Sequence, residues 1–141
     1  MNFSEALREV ESNNFDAMVN LASGFRLLFD IARQQGAVQA LWKELALPEN
    51  QEALLSHVKE LAAKRQEPED ENPHDAAFVV YLWLLSLKNP EFASEAAEII
   101  AKVPHCFWAN DGARFYLQVG KPLSEAPDAA DEVAVAKRAA G

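Results

Sequence analysis

The sequence predicts an all-α protein, an irregular bundle of six or seven helices around a buried central helix at about 73–88, itself paired with an antiparallel helix at about 90–103. Three observations carry that expectation. The run Ala76-Ala-Phe-Val-Val-Tyr-Leu-Trp-Leu-Leu85 holds no polar group beyond the Tyr81 hydroxyl and the Trp83 indole N–H. A helix that is apolar all round has to be covered on every side, by protein or by lipid. Ten residues fall short of the roughly 20 that cross a bilayer, so the cover is protein. The second observation is punctuation. Asn72-Pro73-His74-Asp75 offers an N-cap, a proline at the first helical position and an acid in the first turn, and Asn89-Pro90-Glu91 repeats the device. These flanks decide between helix and strand where periodicity cannot. The third is scarcity: five glycines, and few β-branched residues outside the central run, leave little material for a sandwich or barrel.

In chain order, a first helix starts at Ser4, with Phe3, Leu7 and Val10 on one face, and the polar stretch Glu11-Ser-Asn-Asn14 interrupts it. A longer helix begins with Asn14 as cap and runs towards Gln35, carrying Phe15, Met18, Val19, Ala22, Phe25, Leu28, Phe29 and Ala32 in helical phase. Gly24 inside that span costs about 1 kcal/mol against alanine. Gly36 reads as the C-terminal stop. Val38, Leu41, Trp42 and Leu45 then stand at i, i+3, i+4 and i+7 of a helix over 37–47 that Pro48 ends. From Glu49 to Lys64, the stripe Leu54, Leu55, Val58, Leu61 and Ala62 defines another, with acids in its first turn and Lys64-Arg65 in its last, matching the helix dipole. A loop over 66–73 leads into the central helix.

Asn89 closes the central helix and caps the next, so the two form an antiparallel hairpin with a very short connection. Phe92, Ala96, Ile99, Ile100 and Val103 give the second helix one apolar face. Ala93, Ala97 and Ala101 permit close approach of a partner, and Pro104 stops it. The segment from Asn72 to Pro104 resembles one unit of a HEAT-type helical repeat. One unit of about 30 residues implies no function, because such stacks need three or more. Beyond Pro104, Arg114-Phe-Tyr-Leu-Gln-Val119 alternates as a strand would, yet no second strand exists to pair with it. A short helix capped by Asp111 and closed by Gly120 is therefore expected. The organisation is one domain over 1–120 and an alanine-rich tail over 121–141, within which Asp128–Ala140 has the pattern of a loosely packed helix.

Composition narrows the function classes. Half the residues are hydrophobic, which excludes wholesale disorder, and the net charge is −9. Residues 49–75 carry eight acids against three bases, more than half of that net charge. No basic cluster exceeds Lys64-Arg65 or Lys137-Arg138, so a nucleic-acid reader is not expected. The single Cys106 forms no internal disulfide, and the N-terminus lacks the charged and apolar blocks of a signal peptide. No membrane association and a cytoplasmic location are the expectation.

No catalytic, cofactor or metal-binding residues are nominated. His57, His74, His105 and Cys106, with Asp75 and Asp111, are the ligand types present, but no H-x-x-x-H or C-x-x-C places two of them on one helix face, and the single E-x-x-H, Glu71-Asn-Pro-His74, runs out of the loop before the central helix rather than along a helix. Glycine-rich phosphate loops and the G-x-S-x-G elbow are absent from the sequence. Two stretches point to binding instead. Glu67, Glu69, Asp70 and Glu71 make the most acidic spot in the chain, a docking surface for a basic partner. Phe107, Trp108 and Arg114 combine aromatics with an arginine, the side chains that binding hot spots use. Trp42 and Trp83 sit in apolar stripes and read as core. The expected function is a non-enzymatic small acidic protein that binds another protein, with an immunity or antitoxin-like role as one version. The alternatives are a helical enzyme or ligand binder with a pocket between helices, and a homodimer.

Overall fold

The central run is covered by its own chain. In a computed structural model, which describes residues 1–12, 25–64, 75–104 and 106–120, every side chain from Ala76 to Leu85 is buried. The described residues form seven helices and no strand: α1 Phe3–Ser12, α2 Phe25–Ala32, α3 Gly36–Glu44, α4 Pro48–Lys64, α5 Asp75–Lys88, α6 Pro90–Ile100 and α7 Phe107–Val119. The central helix α5 packs chiefly on α6 and α7, with α4 and α2 on other sides. Helix α6 lies against α4, α5 and α7 together, and α1 packs on α3. One hydrophobic cluster, from Ala6 of α1 to Tyr116 of α7, runs through the whole assembly.

The α5–α6 hairpin is built by Asn89. Its N–H donates to the Leu85 carbonyl at 2.8 Å, ending α5, and its side-chain oxygen accepts from the Phe92 N–H at 3.3 Å, starting α6. Its amide also donates to Gln51 of α4 at 3.1 Å, tying the hairpin corner to a third helix. Burial on α6 differs from the expected stripe. Ala93, Ala96, Ala97 and Ile100 are fully buried, while Phe92 and Ile99 are half-buried at the edges. A helix hemmed in by three others has room at its centre only for small side chains, so the alanines take the core face.

Several helix ends depart from expectation. The cap of α1 is Asn2, whose side chain accepts from the Glu5 N–H at 2.8 Å, two residues before the expected Ser4 start. Glu11 and Ser12 belong to α1 rather than interrupting it. Gly36 opens α3 instead of closing α2, which ends at Ala32 followed by a turn at Arg33 and Gln34. Helix α3 ends at Glu44 rather than Leu47. The Asn50 side chain donates to the Glu44 carbonyl at 2.9 Å and that of Gln51 to Leu45 at 2.8 Å, so the next helix satisfies its last carbonyls. Pro48 is the first residue of α4. Helix α6 stops at Ile100, with a turn through Val103. Trp42 is half-buried, its ring 3.8 Å from the Lys88 ammonium, while Trp83 is in the core as expected. The expected Asn14 and Asn72–His74 helix starts, Gly24 and the tail 121–141 lie outside the described residues.

The stretch 114–119 is helical, as part of α7, but the cap is not Asp111. The helix begins four residues earlier, at Phe107, with Cys106 as the preceding residue. Asn110 explains the early start. Its buried amide donates to the Ile100 and Val103 carbonyls at 2.7 and 3.1 Å, satisfying the end of α6 from inside the first turn of α7. Gly120 closes α7 as expected, in the left-handed region at φ 68°, with its N–H on the Tyr116 carbonyl at 2.8 Å.

Candidate functional site

Two places outside the apolar core concentrate chemistry: a half-buried polar joint between α1, α4 and α5, and the outer face of α7.

The joint centres on Glu11, at the last turn of α1. One carboxylate oxygen accepts from the Tyr81 hydroxyl at 2.5 Å and faces Nε2 of His57 at 2.6 Å. The Tyr81 hydroxyl also lies 3.2 Å from the Leu7 carbonyl, and the His57 ring stands edge-on to the Tyr81 ring, centroids 5.8 Å apart. Burial first, and the Glu11 carboxylate second, hold the Tyr81 phenol far above its ordinary range, so it remains a protonated donor. With the carboxylate as acceptor, Nε2 is the nitrogen that carries hydrogen. The arrangement suits cross-linking of three helices better than catalysis. Both donors converge on one oxygen, and a phenol held protonated is no nucleophile. Sequence reading missed this cluster, since its members are 46 and 70 residues apart. The only local signal was a carboxylate at the end of an amphipathic helix.

On α7, the side chains of Ala109, Asn110, Ala113 and Tyr116 face inward, and the Tyr116 hydroxyl lies 3.4 Å from the Pro90 carbonyl. The opposite face is mixed, with Phe107, Asp111, Arg114 and Gln118 along its centre and large apolar side chains on its flanks. Phe107 is 69 % exposed, Phe115 46 %, Val119 44 % and Leu117 42 %. Among the described residues only Met1 and Leu47 are other large hydrophobics so exposed, so α7 carries most of the apolar surface that those residues show. Phe107, Phe115 and Val119 follow the four-residue row of the helix, with Asp111 between them. Arg114 pairs with Asp111 at 3.2 Å, both well exposed.

Of the expected binding residues, the structure therefore places Phe107 and Arg114 on one exposed helix face, with Trp108 beside Phe107 in the chain. Glu67, Glu69, Asp70 and Glu71 lie outside the described residues. Phe115, Leu117 and Val119 were missed as surface residues. Their period-two alternation was the available signal, because a helix carrying it cannot turn all of those groups inward. Cys106 is buried. No three His, Cys, Asp or Glu side chains among the described residues converge as a metal site, and none of the described helices is long and apolar enough to cross a membrane. Comparison of the chain with known protein families, curated proteins and solved structures finds no match.

Proposed function

We propose that this chain is a small acidic module that works by binding another protein, with the outer face of α7 as its contact surface. The observation that carries the reading is the gathering of Phe107, Phe115, Leu117 and Val119 on one exposed helix. Interface centres are enriched in aromatics and arginine, and Phe107, Phe115 and Arg114 supply both on a rigid element. The net charge of −9 makes a basic protein the favoured partner, drawn in by long-range attraction and held by the apolar contact. An immunity or antitoxin-like protein that masks a basic target is one version of that function.

The test is co-purification of the wild type and a Phe107→Ser/Phe115→Ser variant from the native cell, each in low and in high salt. Both positions are exposed, so the fold tolerates the change. A basic protein retained by the wild type in low salt, weakened by high salt and lost with the variant supports the reading. The same proteins on both baits, or none on either, would sink it.

A further inference from the structure

The outer face of α7 has a fixed layout of charge. Phe107, Asp111, Arg114 and Gln118 run along its centre, with Phe115 on one flank and Leu117 on the other. Asp111 stands on the Phe115 side of that line and Arg114 on the Leu117 side. The chain that follows offers a match. Residues 128–140 include six alanines, with Asp128, Asp131 and Glu132 first and Lys137-Arg138 last, a composition and charge order that favour a helix. A helix so short is marginal alone in water and forms when it has a surface to pack on. At helical spacing its apolar seam is Ala129, Val133, Ala136 and Ala140, flanked by Glu132 on one side and Lys137 on the other.

We propose that residues 128–140 fold back as a helix over the outer face of α7, antiparallel to it, and that a partner has to displace this cover to reach Phe107 and Phe115. The proposal rests on the reading of α7 as a contact surface and supplies its regulation. Gly120, in the left-handed region, ends α7 and turns the chain off the helix axis. The connection 121–127 falls within the length of about 2–8 residues that joins neighbouring helices in bundles, where short loops make antiparallel neighbours. Both stretches are 13 residues long, so Gln118 comes level with Ala129 and Phe107 with Ala140. When two antiparallel helices face each other, flanks of the same hand meet. In that single alignment Lys137 falls beside Asp111, Glu132 beside Arg114, and Val133 against the Phe115 ring. Charge, side and level agree for both pairs with no shift of register between them. Alanines bury little area, so the contact is weak. It holds because the connection keeps the local concentration on the order of millimolar.

Nuclear magnetic resonance on the full chain tests this, with the variants Arg114→Glu, Glu132→Arg and the two combined. The wild type should show nuclear Overhauser contacts between the Val133 methyls and the Phe115 ring, and slowed amide exchange within 128–140. Each single variant places like charges together and should lose both signals. The combined variant restores opposite charges and should recover them, which a general loss of folding cannot produce. A wild type with neither signal, single variants that keep them, or a combined variant that does not recover overturns the proposal. So does a contact seen only between differently labelled chains in a mixture, which would place the segment on a second copy. Ala136→Pro breaks the helix at 128–140 without touching α7 or the net charge, and should retain more of the basic partner than the wild type. Retention no greater than wild type overturns the regulation. The two readings fail separately, because the resonance signals need no partner. A basic partner lost with the Phe107→Ser/Phe115→Ser variant, and no such signals, leaves the docking function standing without a cover. The signals with no partner retained do the reverse.

Discussion

Tyr81 and Trp83 bring the only side-chain polar atoms into the fully apolar stretch of the central helix, and the fold treats them oppositely. The indole N–H of Trp83 is buried with no acceptor among the described residues, a loss on the order of 1–3 kcal/mol, offset by packing of the large ring, whose centroid is 4.5 Å from that of Phe29. The Tyr81 hydroxyl has Glu11 and Leu7 before it and cannot readily ionise there. That gives stability an alkaline limit. In the unfolded chain the phenol loses its proton near pH 10, whereas the folded protein keeps it. Above about pH 10 the native state therefore binds more protons than the unfolded one, and stability falls as pH rises, by at most about 1.4 kcal/mol per pH unit from this group. Below that pH the contribution is fully present. Urea melts at about pH 9 and about pH 11 should show the wild type losing more stability between them than Tyr81→Phe, which has no phenol to titrate. Equal losses would mean that Tyr81 ionises as freely folded as unfolded.

The ends of the helices are where composition alone misled. A glycine after an apolar stripe reads as a stop, yet Gly36 starts α3 and Gly120 ends α7. Of the two, only Gly120 adopts a positive φ, and a Cβ on Gly36 would meet nothing within 4 Å. The same substitution should thus act with opposite signs. Gly36→Ala should stabilise by about 0.4–1 kcal/mol through the unfolded chain, while Gly120→Ala should destabilise by about 1–2 kcal/mol. Thermal or urea unfolding of the two variants checks this, and a common sign would contradict the assignment of these ends. The stripes themselves were legible, because Leu54, Leu55, Val58, Leu61 and Ala62 on α4 repeat at helical spacing and all are buried. What the residues did not reveal is which helix is squeezed. The buried alanines of α6 follow from having three neighbours, and the early start of α7 follows from Asn110 reaching back to α6. Both are facts of packing between segments.

At the scale of the whole molecule, the all-apolar run at 76–85 was enough to announce a helix wrapped by others, since neither water nor a bilayer accepts it. The candidate site was half legible for the opposite reason. Phe107 and Arg114 stood out as an aromatic and a base in an irregular stretch, but exposure of Phe115, Leu117 and Val119 depends on which side of α7 faces α6. Charge is the property that remains global. Among the described residues the ion pairs are Lys59–Glu95 at 2.8 Å, two local pairs at Asp30–Arg33 and Asp111–Arg114, and the His57–Glu11 contact. In each of the three lysine and arginine pairs at least one partner is about half-exposed, so each contributes on the order of 0–1 kcal/mol. Against them stands the mutual repulsion of a chain at −9, which compaction increases. Salt weakens both effects, over a screening length of about 10 Å at 0.1 M. Because the like-charge excess outnumbers these pairs, its relief should win. Urea melts are the suitable measurement, guanidinium being itself a salt, with sodium chloride rather than sulfate so that exclusion from apolar surface does not mimic screening. The midpoint is expected to rise as chloride is added. A midpoint that falls would show that the attractive pairs outweigh the like-charge repulsion in the folded chain.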